Sequence, residues 1–597
     1  TMTQRMQHRG PDGDGHYTDD LVALGHRRLA ILDLSELGAQ PMWDASGRYA
    51  ITYNGEIYNF RELRAELAGY PFRSHSDTEV ILAGFAAWGI QLFERLNGIF
   101  AFALYDKQAR TLYAVRDRFG IKPLYYSDLD SHFLVASEQR ALLATGLVSK
   151  KVSTLALSDF LSNGSVAGAQ GMAEGLRQLP GGYYLEIRPG QHSQPIPYHL
   201  FYQTHRDPVE ASREQVTKNI RDLLLKSVES QLVSDVPLGA FLSGGIDSSA
   251  IVALMSEVSA TKPMTFTIGF EEKKYDESAY AEIVAKKYGT QHTVLTLSPG
   301  NFLDALPEAL EAMDTPTMDG PNSYVVSKLT RAAGVTVALS GLGGDELFAG
   351  YAPFLRYHNW RGNLWWKVPH AIRRGLTAPL AAWGTSTKYR RIGCLLQVPA
   401  FEIEHVYPNF RSVMDEQTVR QLLNGEYSGI SPTLLQANKG DIHRFPPLSQ
   451  YTIAEMTGYT QHMLLKDTDQ MSMASSLEVR VPFFDNDLVE YVLRIPDALK
   501  YPQSPKQLLV EAMQDRLPPS IVNRPKMGFT LPWANWLRTE LADFCETHIQ
   551  ALCDRRILDS DAIRTLWTDF KQHKHQVLWS HVWMFVVLEY WLQKNLD

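Results

Sequence analysis

Residues 236–249 read Val-Pro-Leu-Gly-Ala-Phe-Leu-Ser-Gly-Gly-Ile-Asp-Ser-Ser. An apolar run stops at Ser243-Gly244-Gly245, and a helical period starts at once with Ile246, Ala250, Ile251, Leu254, Met255 and Val258. A strand, a glycine turn and a helix start make an anion site. Glycine lets the backbone come close to a polyanion, and the free N–H groups and dipole of the helix start favour negative charge. The loop lacks the Lys-Ser/Thr ending of a kinase-type phosphate loop, so no side chain is placed to follow a transferred γ-phosphate. Asp247 lies beside the loop instead, where phosphate repels a carboxylate unless Mg²⁺ lies between them. The competing reading is an ordinary strand-to-helix turn.

A second glycine turn decides between these readings. Val335–Leu339 reads as a strand and runs into Ser340-Gly-Leu-Gly-Gly-Asp-Glu-Leu-Phe-Ala-Gly-Tyr351. Asp247 and Asp345, arriving from two strand ends, can clamp Mg²⁺ between the β- and γ-phosphates of a nucleotide. From Glu210 onward long helices alternate with short apolar strands, which implies a parallel α/β sheet. The expected strands are Ala240–Leu242, Met264–Phe270, Thr293–Leu297 and Val335–Leu339. Ligands of such sheets sit at the carboxyl ends of strands, where both glycine turns lie.

Composition bounds the rest. A chain of 597 residues exceeds one core, so two or more domains are expected. A net charge of −8 argues against nucleic acid as a partner. Only Cys394, Cys545 and Cys553 occur, too few for a disulfide framework, which points to a reducing cytoplasm. No apolar run is long enough for a membrane span and no signal peptide is present. Small molecules are the expected partners.

The N-terminal third reads as β-rich, with strands at Leu21–Leu24, Tyr49–Tyr53, Ile99–Tyr105, Leu112–Val115 and Phe133–Ser137, and helices at Arg61–Leu67 and Thr78–Trp88. Polar clusters interrupt it: His8-Arg-Gly-Pro-Asp-Gly13, Arg28-Leu-Ala-Ile-Leu-Asp33, Tyr53-Asn-Gly-Glu-Ile-Tyr-Asn59, Ser76-Asp-Thr-Glu79 and Arg116–Tyr125. Taken alone, Asn54-Gly55 is a strong hairpin signal.

In their order these clusters resemble the glutaminase domain of class II glutamine amidotransferases, as in glutamine-hydrolysing asparagine synthetases, and Ser243–Ser248 resembles the loop of ATP pyrophosphatases. The resemblance implies an α/β protein of two domains, an αββα sandwich over 1–195 and an ATP-pyrophosphatase domain over 210–597. It also implies glutamine binding by Arg28, Asn54, Gly55, Glu56 and Asp77, and the chemistry suits those roles: Arg28 can grip the α-carboxylate in a two-pronged pair, Glu56 and Asp77 can take the ammonium, and Asn54 with the Gly55 N–H can form an oxyanion hole. ATP contacts would fall on Leu242, Ser243, Gly244, Gly245, Asp247, Ser248, Ile268, Ser340, Gly341 and Asp345, with Mg²⁺ held by Asp247 and Asp345. Lys506, in Ser504-Pro-Lys-Gln-Leu-Leu, matches a lysine that offsets charge on the reacting phosphate; Arg524-Pro-Lys-Met-Gly-Phe529 supports the match, and Tyr275-Asp-Glu-Ser278 also fits the pattern. A solvated lysine at a helix start is the alternative. The resemblance leaves room for a homodimer.

The chain departs from the pattern in three places. The family's nucleophile is an N-terminal cysteine well upstream of the His8 cluster, whereas seven residues precede His8 here and the first third holds no cysteine. The expectation is that the sequence lacks its first strands; a glutaminase domain without a nucleophile, feeding a synthetase on free ammonia, or Thr1 acting as nucleophile, are the alternatives. As written, the chain is not expected to hydrolyse glutamine. Leu342 stands where the family often carries Glu, Asp or Tyr, and a leucine handles no proton. Asp319-Gly-Pro-Asn322 replaces the usual aspartate-pocket pattern and looks like homologues of polysaccharide assembly. The expected product is asparagine from aspartate, and the alternative acceptor at Asp319 and Leu342 is another carboxylate such as a uronic acid. Trp360–Arg374 reads as a helical insertion packing its tryptophans inward or as a membrane-surface or glycan lid, Glu478–Arg480 as a structural pair, and Leu578–Leu596 as a buried helix.

Overall fold

The computed structural model describes the chain except residues 204–206, 271–275, 384–386, 426–434, 436, 505, 525–530 and 575–576. Tyr275, Pro505 and the 525–529 stretch used above lie outside the described residues. The N-terminal region carries β1 (Gly13–Thr18), β2 (Ala23–Arg28), β3 (Met42–Trp43), β4 (Tyr49–Ile57), β5 (Gly98–Asp106), β6 (Thr111–Arg116), β7 (Tyr125–Asp128), β8 (Phe133–Ala136), β9 (Arg177–Gln178), β10 (Tyr183–Ile187) and β11 (Ile196–Pro197). The main sheet runs β11-β10-β6-β5-β4-β3 and is antiparallel. Its middle strands are nearly continuous apolar runs because both faces are covered. The helix Asp77–Trp88 packs Val80, Ile81 and Leu82 into the same core as Ile51, Phe100 and Phe102.

One local reading changes, and the hairpin alternative at Asn54-Gly55 falls. The expected strand at Leu21–Leu24 starts later, at Ala23, because Asp19 accepts hydrogen bonds from the Leu21 and Val22 N–H groups (both 2.9 Å) and makes a turn of them. That shift puts Arg28 at the end of β2. Asn54 and Gly55 lie inside β4, opposite Ala101 and Phe100 of β5, and not at a hairpin turn. Gly55 has φ +142°, and a Cβ there would sit 2.0 Å from the Ile99 carbonyl oxygen, so glycine is required.

The C-terminal region carries β12 (Leu238–Phe241), β13 (Met264–Phe270), β14 (Gln291–Leu297), β15 (Val337–Leu339) and β16 (Glu478–Arg480) in the order β14-β13-β12-β15-β16, all parallel. The molecule is thus a two-domain α/β protein, as expected. Four of these strands match the reading to within a few residues; β16 does not figure in it, because three residues carry no periodicity of their own. Glu478–Arg480, read as a structural pair, is therefore an edge strand that extends the sheet beside the second glycine turn. The helix Ile246–Val258 buries Ala250, Ile251 and Leu254 under the sheet. The helix Trp579–Asn595 is buried as expected, with Trp583 and Trp591 almost wholly enclosed. In the 360–374 segment Trp366 packs on Phe401 (ring centroids 4.5 Å apart), whereas Trp360, Leu364 and Ile372 stay exposed, so the tryptophans pack inward only in part.

Candidate functional site

The two glycine turns meet at the carboxyl ends of β12 and β15. A Cβ on Gly341 would lie 2.7 Å from the Ser248 nitrogen, and one on Gly344 would lie 2.3 Å from Asp247 Oδ1, so the second loop's glycines press against the backbone and the carboxylate of the first. Around Ser243-Gly244-Gly245 the Ser243 and Ser248 hydroxyls are 3.2 Å apart, and the Gly245 N–H donates to Ser243 Oγ. The Ile246–Val258 helix starts from Gly245 with no side-chain cap, which leaves its first N–H groups to a ligand. Leu242 is fully buried and Ile268 half-buried on β13, so Leu242 can reach a nucleotide only through its backbone.

Lys506 lies at the centre. Its Nζ pairs with Asp247 Oδ2 and, at 2.8 Å, with Asp345 Oδ1. The residue is 6% exposed, which rules out a solvated helix-start lysine. Burial works against its charge, but Asp247 and Asp345 more than offset it, so its pKa is raised and it stays an ammonium. Its backbone is left-handed (φ +52°), an uncommon state for lysine that points the side chain between the two carboxylates.

Arg524 stands against this loop. Arg524 Nη2 is 3.8 Å from the place a Gly245 Cβ would take, and it pairs with Glu277 Oε1 at 2.7 Å. Its Nη1 is buried with no hydrogen-bond partner among the described residues.

The five residues assigned to glutamine come together. Arg28, Asn54, Gly55, Glu56 and Asp77 all line one cavity of about 250 Å³ between the N-terminal sheets. Arg28 is fixed by its own loop: its guanidinium donates to the carbonyls of Asp33 and, at 2.8 Å, Ser35. Asp77 Oδ2 accepts from the Tyr53 hydroxyl (2.7 Å) and the Ile57 N–H (2.9 Å), and burial raises its pKa. Asn54 Nδ2 is buried with no hydrogen-bond partner among the described residues, a donor waiting for an acceptor. None of the three cysteines lines this cavity.

Comparison with known proteins fits both halves. Residues 219–593 match the family model for asparagine synthase and residues 1–199 that for the glutamine amidotransferase domain. Asparagine synthetase [glutamine-hydrolyzing] 1 of Bacillus subtilis is 31% identical across 100% of this chain and 93% of its own length. The chain belongs to the glutamine-hydrolysing asparagine synthetase family. A putative asparagine synthetase of Mycobacterium tuberculosis is 32% identical over 94% of the chain and 91% of its own length. The amidase chyE of Penicillium rubens is 28% identical over 89% of the chain and 84% of its own length.

As a member of this family the chain is an ATP-using, glutamine-dependent ligase of the asparagine synthetase type. The two residues expected to line an acceptor pocket do not share one cavity. Asp319 lines a cavity of about 360 Å³ with Arg391, Arg411, Tyr459, Trp533 and Trp579, while Leu342 is not among the residues that line it. Leu342 donates its N–H to Ser340 Oγ (3.2 Å) and packs on the core beside the ATP loop. Burial raises the Asp319 carboxyl, against a weak bond from Asn322.

Glu346, the neighbour of Asp345, is a titrating group that the sequence reading left out. It is buried, and its Oε1 accepts from the Tyr351 hydroxyl at 2.9 Å. Burial, reinforced by the Asp345 charge, pushes its pKa from 4.5 up to about 7. The folded state then holds an extra proton between about pH 4.5 and 7, so stability falls as pH rises through that window. Asp159 and Asp467 are pushed up to about 7 in the same way, so a comparison of variants isolates Glu346. Tm measured against pH is expected to fall less steeply in Glu346→Gln than in the wild type; equal slopes would place the proton elsewhere.

Proposed function

We propose that this chain, with domains at 1–195 and 210–597, adenylates a carboxylate acceptor and converts it to an amide, with nitrogen from glutamine or ammonia. A carboxylate oxygen attacks the α-phosphorus of ATP and pyrophosphate leaves; nitrogen then attacks the acyl carbon and AMP leaves. The convergence of Asp247, Asp345 and Lys506 at the junction of the two glycine turns carries this reading. The backbone of Ser243, Gly244, Gly245 and Ser248 receives the pyrophosphate, helped by Arg524 Nη1, which has no hydrogen-bond partner among the described residues, and Lys506 steadies the charge gathering on phosphorus. Leu242, Ile268, Ser340 and Gly341 flank the adenosine. Asp247 and Asp345 fit Mg²⁺: both are hard oxygen donors, and the ammonium they share brings them to one point. Bound Mg²⁺ supplies neutralisation of the β- and γ-phosphates.

In the N-terminal cavity Arg28 holds the glutamine carboxylate, Glu56 and Asp77 its ammonium, and Asn54 with Gly55 the oxyanion. Cys394, Cys545 and Cys553 are all free, which supports a reducing cytoplasmic setting. Among the described residues no helix is long and apolar enough to cross a membrane.

Aspartate is the default acceptor. A larger carboxylate, such as a uronic acid, is the second reading, favoured by the size and the tryptophan walls of the Asp319 cavity. A relative that carries the name of an amidase supports acceptor variety in the family. Pyrophosphate release with ATP, Mg²⁺ and ammonium, measured across aspartate and a panel of uronic acids, separates the two. Aspartate-dependent release with asparagine formed establishes the default, and turnover confined to another acid establishes the second. Silence on every acid sinks the catalytic reading.

A further inference from the structure

The glutamine cavity and the ATP loop are joined by one residue that neither role explains. Arg480 is 1% exposed and lies on β16, whose partner β15 ends in the ATP loop. Its carbonyl accepts the Ser340 N–H at 2.8 Å, fixing the first residue of that loop. Its guanidinium makes an ion pair with Glu56 Oε1 in the glutamine cavity (3.2 Å) and another with Glu478 Oε1 (2.9 Å). The Nη1 group donates to the carbonyls of Gln231 (2.8 Å) and Val233 (2.7 Å), at the end of the helix Arg213–Gln231 that leads into β12 and Ser243. Through its guanidinium Arg480 therefore reaches Glu56 and the approach to the first glycine turn, and through its own carbonyl it holds the start of the second.

We propose that Arg480 is the positioning residue through which occupancy of the glutamine cavity is felt at the ATP loop. The proposal rests on the assignment of those two sites made above. Arg480 serves two buried carboxylates, and Glu56 is the less well paired: among the described residues its ion-pair partner is Arg480 alone, at 3.2 Å, whereas Glu478 has Arg480 at 2.9 Å and Lys122 as well. A ligand ammonium at Glu56 supplies the missing positive charge and releases the guanidinium toward Glu478. Glu478 is on the same strand, and is also held by Lys122 Nζ at 3.5 Å, which in turn meets Asp469 at 3.5 Å. The shift acts on β16 and hence on the Ser340 hydrogen bond. Lysine cannot reproduce it, because a single ammonium does not span Glu56, Glu478 and two carbonyls at once.

The test is calorimetric titration of the full chain with glutamine, with and without a non-cleavable ATP analogue and Mg²⁺, and the reverse titration. Binding linkage requires each ligand to tighten the other by the same factor, expected to be about fivefold or more. In Arg480→Lys that factor is expected to fall below about twofold, while each ligand alone binds within about threefold of the wild type. A merely structural arginine lowers both affinities and Tm together and leaves the factor intact, which overturns the proposal. Arg480→Gln is the harsher variant; if it does not fold, the lysine variant decides. Independent binding of the two ligands to the wild type also overturns the proposal. If either ligand fails to bind the wild type, the site assignment fails and the proposal with it.

Discussion

Replacing Lys506 by methionine is expected to lower ATP- and acceptor-dependent pyrophosphate release by about 10²- to 10³-fold, the scale for removing one preorganised electrostatic stabiliser. Both Asp247 and Asp345 converge on this single ammonium. The surroundings are built tightly around it: a Cβ on Gly350 would meet Asp345 Oδ1 at 1.9 Å and Lys506 Cε at 2.6 Å. The wider guanidinium of a Lys506→Arg variant therefore has no room and is expected to recover little activity. Removing the ammonium also leaves two mostly buried carboxylates without it, a cost of about 3 kcal/mol. Mg²⁺ is then expected to raise Tm more in the methionine variant than in the wild type, a reading of the metal site that does not depend on turnover. Release within threefold of the wild type would remove Lys506 from the mechanism.

Much of this site is legible in the sequence because its parts are loops with compulsory residue types. A glycine turn after an apolar run leaves a composition trace, and Asp247 and Asp345 stand inside such turns. The glutamine residues are legible only as a set. Asn54-Gly55 alone points to a hairpin, and the structure places it mid-strand because β5 pairs along its whole length. Pairing between distant segments leaves no such trace. Arg480 meets Glu56 across more than four hundred positions, and a three-residue strand gives no period to reveal it. Arg411, which pairs with buried Glu455 and lies over the Tyr459 ring (4.1 Å), joins the Asp319 cavity by tertiary packing alone. Glu346 is visible beside Asp345, but its raised pKa comes from burial, which sequence does not display.

Gly344→Ala is expected to lower pyrophosphate release by about 10²-fold, the cost of displacing a catalytic group by roughly 1 Å. The added methyl would stand 2.3 Å from Asp247 Oδ1 and 2.4 Å from its Cγ, so the carboxylate must move. Backbone strain is not the cause, because Gly344 opens the short helix Gly344–Leu347 without a positive φ, and alanine suits a helix better by about 1 kcal/mol. The loss should thus appear in turnover while Tm changes little and glutamine binding is unaffected. Gly375→Ala is the matched control: it too lies in a helix, and its new methyl meets nothing within 4 Å. If both variants turn over alike, the side-chain position of Asp247 does not matter to the reaction, and the two-carboxylate reading of the site falls. If only Gly344→Ala fails, the glycine is there to let one loop's backbone press against the other loop's carboxylate. The Ser340–Tyr351 turn then serves as the wall that aims Asp247 at Lys506, as well as the carrier of Asp345.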